Sequence, residues 1–378
     1  MKYYIIAGEA SGDLHGSNLI REIHQLDGNA VIRCWGGEKM EGAGATLVKH
    51  YRDLAFMGFI EVVKNLPTIF RNLAFCKKDI SGFKPDALIL IDYPGFNLRI
   101  AEWARKEGLK IIYYISPQVW AWKENRVKKI KRDVDKMLVI LPFEKEFYKH
   151  WGMEVEYVGH PLVEVIDAFR KNKNTDHSPD LRVMDEHGNR IIALLPGSRR
   201  QEILIKLPIM LKVAEHFPSY RFIVAKAPGL TATFYDELLQ PFPHIGAVEN
   251  RTYELLNSAA AALVTSGTAT LETALFAVPE IICYKGSNVS YQIARRLIKI
   301  KYIGLVNLIM DKEVVKELIQ DELTVNNIVS ELKKLLEDPV RKKELEQDYH
   351  DLKELLGRGG HASANAAKSI WAYLMKPD

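Results

Sequence analysis

Three short strings in this 378-residue chain gather glycine, hydroxyl and charged side chains just beyond apolar runs. Gly8-Glu9-Ala10-Ser11-Gly12-Asp13 follows residues 3–7, Leu195-Pro196-Gly197-Ser198-Arg199-Arg200 closes residues 191–195, and Thr265-Ser266-Gly267-Thr268-Ala269-Thr270-Leu271-Glu272 follows residues 260–264. Glycine at a strand-to-helix turn lets backbone N–H groups approach a ligand, and a helix start favours anions. In the second string Ser198 and two guanidinium groups join the turn at Gly197; Arg199 could hold a diphosphate and stabilise its charge as it leaves. In the third, Ser266, Gly267, Thr268 and Thr270 suit a phosphate, and Glu272 one turn further in could accept hydrogen bonds from ribose hydroxyls. The alternative there is a capping box, with Glu272 reaching back to the helix start. Two phosphate-type turns in one half of the chain favour a nucleotide. The first string is not G-x-G-x-x-G, and it serves equally as an anion site or as a tight turn capped by Ser11 or Asp13.

Ile91-Asp92-Tyr93-Pro94-Gly95-Phe96-Asn97 places Asp92 just beyond residues 87–91. There a carboxylate can act as a general base, or only cap the turn that follows. The eleven histidines form no H-x-x-x-H or H-E-x-x-H pattern and G-x-S-x-G is absent, so hydrolase and metalloenzyme readings lose their usual supports and no metal is expected. His15 and His160 stand beside glycines near strand ends, where a lone histidine is commonly a hydrogen-bonded structural residue. Cys34, Cys76 and Cys283 are odd in number and far apart, which fits neither a disulfide framework nor a zinc site.

These strings need elements to hold them. Apolar runs at 3–7, 31–35, 87–91, 110–115 and 137–141 alternate with helical patterns at 14–26 and 98–107, and the rhythm resumes at 191–195, 221–225, 260–264 and 280–284. Strands alternating with helices predict parallel sheets covered on both faces. The polar stretch 171–189 interrupts the rhythm and predicts two domains, 1–170 and 190–350, followed by a helical tail, 351–378, that packs back on the first. Two domains imply a cleft. The chain is 47% hydrophobic and 26% charged, as in ordinary globular proteins. Its net charge of +4 is too small to argue for nucleic acid. Basic residues concentrate at Lys123, Arg126, Lys128, Lys129, Lys131, Arg132 and Lys136, a run that reads either as a solvated helix face or as an anion-attracting surface. The chain enters its first strand directly after Met1-Lys2 and has no apolar tract near the ~20 residues that span a bilayer, so a cytoplasmic protein is expected.

Seven strings, in order along the chain, resemble the lipid-A-disaccharide synthase family. They are Gly8-Glu9-Ala10-Ser11-Gly12-Asp13, Met57-Gly58-Phe59-Ile60-Glu61-Val62, Ser116-Pro117-Gln118-Val119-Trp120-Ala121-Trp122-Lys123, Leu141-Pro142-Phe143-Glu144, Val158-Gly159-His160-Pro161-Leu162, 195–199 and 266–272. The tryptophan string is the most distinctive. The resemblance implies the glycosyltransferase B fold, two Rossmann-like domains. It also implies an inverting transfer that joins UDP-2,3-diacylglucosamine to 2,3-diacylglucosamine 1-phosphate, giving a β-1,6-linked disaccharide phosphate and UDP. By carry-over, Ser198, Arg199, Ser266, Gly267, Thr268 and Glu272 would hold the donor, with Asn307, Glu317 and Gln320 completing its site. Where many members read Ile-Asp-x-Pro-Asp-Phe-Asn, this chain has Gly95, which excludes a carboxylate there and leaves Asp92 as the nearest candidate base. No cofactor is implied, because one base and a stabilised diphosphate suffice.

Both acylated glucosamine substrates would lie in a membrane, so peripheral contact with the anionic inner membrane of a Gram-negative bacterium is expected. Residues 57–74 supply Phe59, Ile69 and Phe70 as interfacial candidates, against the alternative of a buried amphipathic helix. Rival readings are another UDP-sugar transferase or epimerase of the same fold, or a non-catalytic nucleotide- or phospholipid-binding module.

Overall fold

The computed structural model describes residues 1–54, 66–172, 190–227, 229–286, 291 and 300–376. Two compact units account for them, Met1–Pro161 with Leu356–Asp378, and Leu162–Leu355. The division falls at Pro161, ahead of the polar stretch 171–189, most of which lies outside the described residues.

Unit 1 runs β1 (Lys2–Ala7), α1 (Ala10–Leu26), β2 (Val31–Gly36), α2 (Glu38–Gly42), β3 (Thr46–His50), α3 (Leu66–Phe83), β4 (Ala87–Ile91), α4 (Pro94–Lys106), β5 (Ile111–Tyr114), α5 (Val127–Asp133), β6 (Lys136–Val139), α6 (Glu144–His150) and β7 (Glu156–Tyr157). Its seven strands lie in the order β3-β2-β1-β4-β5-β6-β7. Every pairing is parallel. Parallel strands joined by helices leave both faces covered, and β1 shows the consequence. Tyr3, Ile5 and Ala7 pack with Leu19, Ile20 and Ile23 of α1, while Tyr4 and Ile6 pack on the other face with Leu73, Cys76 and Ile80 of α3.

Unit 2 runs α7 (Pro161–Asn172), β8 (Arg190–Leu195), α8 (Arg200–Val213), β9 (Tyr220–Lys226), α9 (Ala232–Leu239), β10 (Gly246–Glu249), α10 (Thr252–Ser258), β11 (Ala259–Thr265), α11 (Thr268–Leu275), β12 (Glu280–Tyr284), α12 (Leu305–Met310), β13 (Lys316–Ile319), α13 (Val325–Glu337) and α14 (Pro339–Gly357). Its sheet order is β10-β9-β8-β11-β12-β13, again parallel throughout. The strands absent from the sequence reading are β3, β7, β10 and β13. All four are sheet edges, half exposed and polar in part, so they lack the continuous apolar run that marks a strand covered on both faces.

The last helix, α15 (Ala362–Leu374), returns to unit 1, where Ala366, Ala367 and Ile370 join the core beside α1. The return is locked by backbone. Tyr157 donates to Leu356 O (3.0 Å) and the Asn365 amide donates to Val158 O (3.1 Å). A Cβ on Gly359 would lie 2.4 Å from the Gly159 backbone, whose own φ is +96°. The string Val158-Gly159-His160 is therefore a docking surface for the tail, and only glycine allows two main chains this close. Gly359→Ala has no flexible neighbour to displace, so it should lower stability by about 1–3 kcal/mol with secondary structure retained. Thermal unfolding followed by circular dichroism checks this, and an unchanged midpoint would show that the tail does not dock through this contact.

Candidate active site

At the carboxyl ends of β4 and β5, four residues with side chains adopt left-handed backbone: Asp92 (φ 41°), Tyr93 (50°), Ile115 (66°) and Lys123 (58°). That region is disfavoured for any residue with a Cβ, and most for a β-branched one such as Ile115. Hydrogen bonds hold it. The Asn97 amide, fully buried, donates to Asp92 O (2.7 Å) and Ile91 O (3.2 Å), with Ile6 O at 3.4 Å. The Tyr113 hydroxyl donates to Asp92 O at 2.6 Å, and the Asp92 N–H lies 3.3 Å from both Tyr114 O and Ile115 O. Strain restrained in this way concentrates at sites where the aim of a side chain matters.

The side chain so aimed is the half-buried Asp92 carboxyl. Burial, and then the negative charge of Glu9, push its pKa up to about 7, against a hydrogen bond from the Tyr93 N–H that favours the anion. A carboxyl that titrates near neutrality is suited to general-base work. Asp92 and Glu9 thus share one neighbourhood, which joins the first glycine string to the candidate base.

That string is otherwise consumed by the protein itself. A Cβ on Gly8 would lie 2.3 Å from Cγ of Tyr93, and one on Gly12 would lie 3.0 Å from Cβ of Ala7. The glycines make room for packing, not for a ligand. Asp13, 2% exposed, accepts from the N–H groups of Gly37 (2.7 Å), Met40 (3.0 Å) and Lys39 (3.2 Å), so it caps α2. Neither Asp13 nor Ser11 caps α1, whose N-cap is Glu9, without a side-chain bond. Glu9, Ala10 and Ser11 are what the turn exposes.

The tryptophan string continues from Ile115. Ser116 bonds the Tyr148 hydroxyl (2.7 Å), and the Trp120 indole donates to Glu144 (3.2 Å), which also accepts from Leu141 N–H (2.9 Å). Two of the sequence strings therefore fold against each other. Burial lifts the Glu144 pKa to about 7.

In unit 2 the other two turns stand side by side, since Leu195 and Val264 are register partners at the ends of β8 and β11. Helices α8 and α11 begin just beyond, and neither is capped by a side chain, which leaves their first N–H groups available. Gly197 (φ +112°) and Gly267 (φ +139°) make the turns, and beside Gly267 a Cβ would meet nothing within 4 Å. Ser198, Arg199 and Thr268 are exposed. Arg199 reaches Glu202 at 3.5 Å, whereas Arg200 lies over the Phe234 ring. Lys206, which the sequence reading missed, is 2% exposed and 3.8 Å from Glu202. Burial lowers its pKa. The i,i+4 spacing of Glu202 and Lys206 on one helix was the available signal.

The remaining donor candidates are mostly spent inside the protein. Ser266 donates to Ile303 O (3.3 Å), and Thr270 donates to Gly267 O (2.9 Å). Glu272 accepts from Tyr253 (2.8 Å) instead of capping α11, and burial raises its pKa. Asn307 is fully buried between Val315, through N–H and C=O, and Glu317. Glu317 also accepts from Ile303 N–H and Gly304 N–H, each at 2.9 Å. These two side chains hold the 303–304 segment that Ser266 touches. Gln320 (φ +52°) accepts from Gly286 N–H at 3.0 Å, and its buried amide nitrogen has no partner among the described residues. Of the membrane candidates, Phe59 lies outside the described residues, Ile69 packs against the core and Phe70 is 62% exposed.

Two parallel α/β units, one of them bearing paired uncapped helix starts at adjacent strand ends, define the glycosyltransferase B class. The same architecture recurs in the crystal structure of UDP-GlcNAc 2-epimerase from Neisseria meningitidis bound to UDP-GlcNAc (TM-score 0.69, 13% identity, all of both chains). It recurs in the glycotransferase of kitacinnamycin as well (TM-score 0.65, 13% identity, 99% of each chain). Fold does not separate transferase from epimerase; sequence does. Residues 3–370 match the family described as Lipid-A-disaccharide synthetase. The chain is 40% identical to the lipid-A-disaccharide synthase of Geobacter metallireducens over 94% of its length and 93% of that protein's. With that of Syntrophus aciditrophicus it shares 39% identity, over 97% and 96%. The chain belongs to the lipid-A-disaccharide synthase family, and its reaction is the glycosyl transfer that makes the lipid A disaccharide.

If Asp92 is the base, only its anion works, so kcat/KM should rise as pH increases through about 7 and level off above it. Asp92→Asn should remove that limb and lower turnover by about 10²–10⁴-fold. Glu9→Gln removes a neighbouring negative charge and should move the limb to lower pH. A pH profile of each variant decides, and a limb unchanged in Asp92→Asn eliminates this carboxyl.

Proposed function

We propose that the chain transfers the 2,3-diacylglucosaminyl unit of UDP-2,3-diacylglucosamine to the 6-hydroxyl of 2,3-diacylglucosamine 1-phosphate with inversion. The observation that carries the substrates is the family match over residues 3–370, and what supports a base-assisted displacement is the Asp92 carboxyl, held on a strained turn with its pKa raised to about 7. In one displacement Asp92 takes the proton of the acceptor hydroxyl, the oxygen forms the new bond to the anomeric carbon, and the bond to the diphosphate breaks. The leaving charge falls to Arg199 and to the uncapped N–H groups of α8 and α11; Glu202, itself paired with Lys206, holds Arg199 until then. Glu272 serves the ribose, Gly197, Ser198, Gly267 and Thr268 the phosphates, and Asn307, Glu317 and Gln320 act through the segments they brace. On this reading the UDP-sugar is a substrate and the reaction needs no cofactor. Incubation with both acylated substrates should yield the disaccharide 1-phosphate and UDP by mass spectrometry, and Arg199→Ala should lower kcat by about 10²–10³-fold. UDP release without a disaccharide, or a normal rate in the variant, would reject the scheme.

We also infer peripheral contact with an anionic membrane, because both substrates carry acyl chains. No helix among the described residues is long and apolar enough to cross a membrane. On α3, Leu73, Cys76 and Ile80 face the core, but Phe70 and Phe75 are exposed. An exposed aromatic on an amphipathic helix favours interfacial seating. Phe70→Ser should weaken association with phosphatidylglycerol vesicles at unchanged thermal stability. Equal flotation of variant and parent protein with vesicles would exclude this face.

A further inference from the structure

Trp122 is the exposed aromatic of the distinctive string, whereas Trp120 is buried and bonded to Glu144. Trp122 stands 44% exposed on the segment that leaves β5. Its ring carries two cations, Lys123 Nζ at 4.3 Å and the Arg126 guanidinium at 5.4 Å from the centroid. Both cations therefore share one side chain, and no carboxylate among the described residues pairs with either. Elsewhere in this charge run Lys131 and Arg132 do have partners: Lys131 donates to Trp151 O, and Arg132 to Asp133. Two like charges against one ring repel each other, and an anion between them offsets that cost; the Lys123 ammonium feels the repulsion, its pKa lowered by burial and then by Arg126.

The pair is also held in place. Lys123 has a left-handed backbone, and the segment before it is tied down at Trp120 by Glu144 and at Ser116 by Tyr148. The positive charge of Arg126 is felt at the Tyr113 hydroxyl, the same group that donates to Asp92 O. Arg126 is thus within electrostatic reach of the tyrosine that holds the candidate base's turn, and Lys123 shares the Trp122 ring with it. A phosphomonoester carries about −1.5 to −2 charges at neutral pH, which two cations match. Arg offers a planar fork to its oxygens and Lys a mobile point charge.

We propose that Lys123 and Arg126, arrayed on Trp122, form a phosphomonoester site that binds the anomeric phosphate of the acceptor sugar. This rests on the acceptor assigned under the proposed function. A lipid headgroup would offer the same chemistry, so the test separates the two sources.

The experiment compares the parent protein, the double variant Lys123→Gln/Arg126→Gln, and the control Lys128→Gln/Lys129→Gln on the neighbouring helix. Calorimetry with glucosamine 1-phosphate and with glucosamine should show the double variant losing about tenfold or more in affinity for the phosphorylated sugar alone, as expected for lost charge-assisted bonds. The control should behave as the parent. In turnover, KM for diacylglucosamine 1-phosphate should rise by a similar factor, with kcat and the donor KM little changed. Unchanged sugar-phosphate affinity and acceptor KM in the double variant, or an equal loss in the control, overturns the site. Loss of phosphatidylglycerol-vesicle binding with sugar-phosphate affinity intact assigns the cations to the membrane and also overturns it. Affinity lost only in the double variant, in a protein that makes no disaccharide, would uphold the site and reject the proposed function instead.

Discussion

One buried amide holds the strand-end turn of unit 1 on which its candidate base sits. Asn97, on the first turn of α4, reaches back to the carbonyls of Ile91 and Asp92 and lies close to that of Ile6. It thereby spans two adjacent strands and the turn that follows one of them. Two consecutive left-handed residues could not persist without such restraint, since each is uphill by about 1–2 kcal/mol. Once the turn is held, the ring of Tyr93 is placed over Gly8, and the charge of Glu9 is felt at Asp92. The glycine string, the carboxyl and the helix are then one arrangement with a shared cause. Asn97 keeps a cost of its own, because its buried carbonyl oxygen has no partner among the described residues.

The two units use glycine for opposite purposes at two of their strand-to-helix turns. After β1 the absent Cβ atoms make room for Tyr93 and Ala7, so protein fills the turn. After β11 the space at Gly267 stays open, and the helix beyond begins uncapped. Both strings read alike in one dimension, as glycine and hydroxyl between strand and helix. Which one receives a ligand depends on what a distant segment brings over it.

The same reason governs the polar residues of unit 2. Asn307 and Glu317 stand ten positions apart in sequence and close on each other at 2.9 Å. Glu272 had a local explanation available in a capping box, yet its hydrogen-bond partner is Tyr253, from the preceding helix α10. Lys206 and Glu202 were visible as a helical pair, but an i,i+4 pair is ordinarily a surface feature and only burial makes this lysine unusual. Charge type and spacing identified candidates here; contact decided which of them face inward.

The sequence by itself determined the alternation of strands and helices, because a strand covered on both faces must be apolar throughout. It also marked where strand-to-helix turns fall, because glycine and hydroxyl residues gather there, and it determined the family through the order of seven strings. The four edge strands escaped it, since an edge needs neither an apolar run nor alternation to pair. Only the tertiary structure decided that Asp13 caps α2, that Gly159 and Gly359 touch backbone to backbone, and that Asp92 sits where burial and Glu9 raise its pKa. Each of these depends on residues brought together from separate parts of the chain. Burial and Coulomb interaction are properties of distance in space, and a linear pattern does not carry that distance.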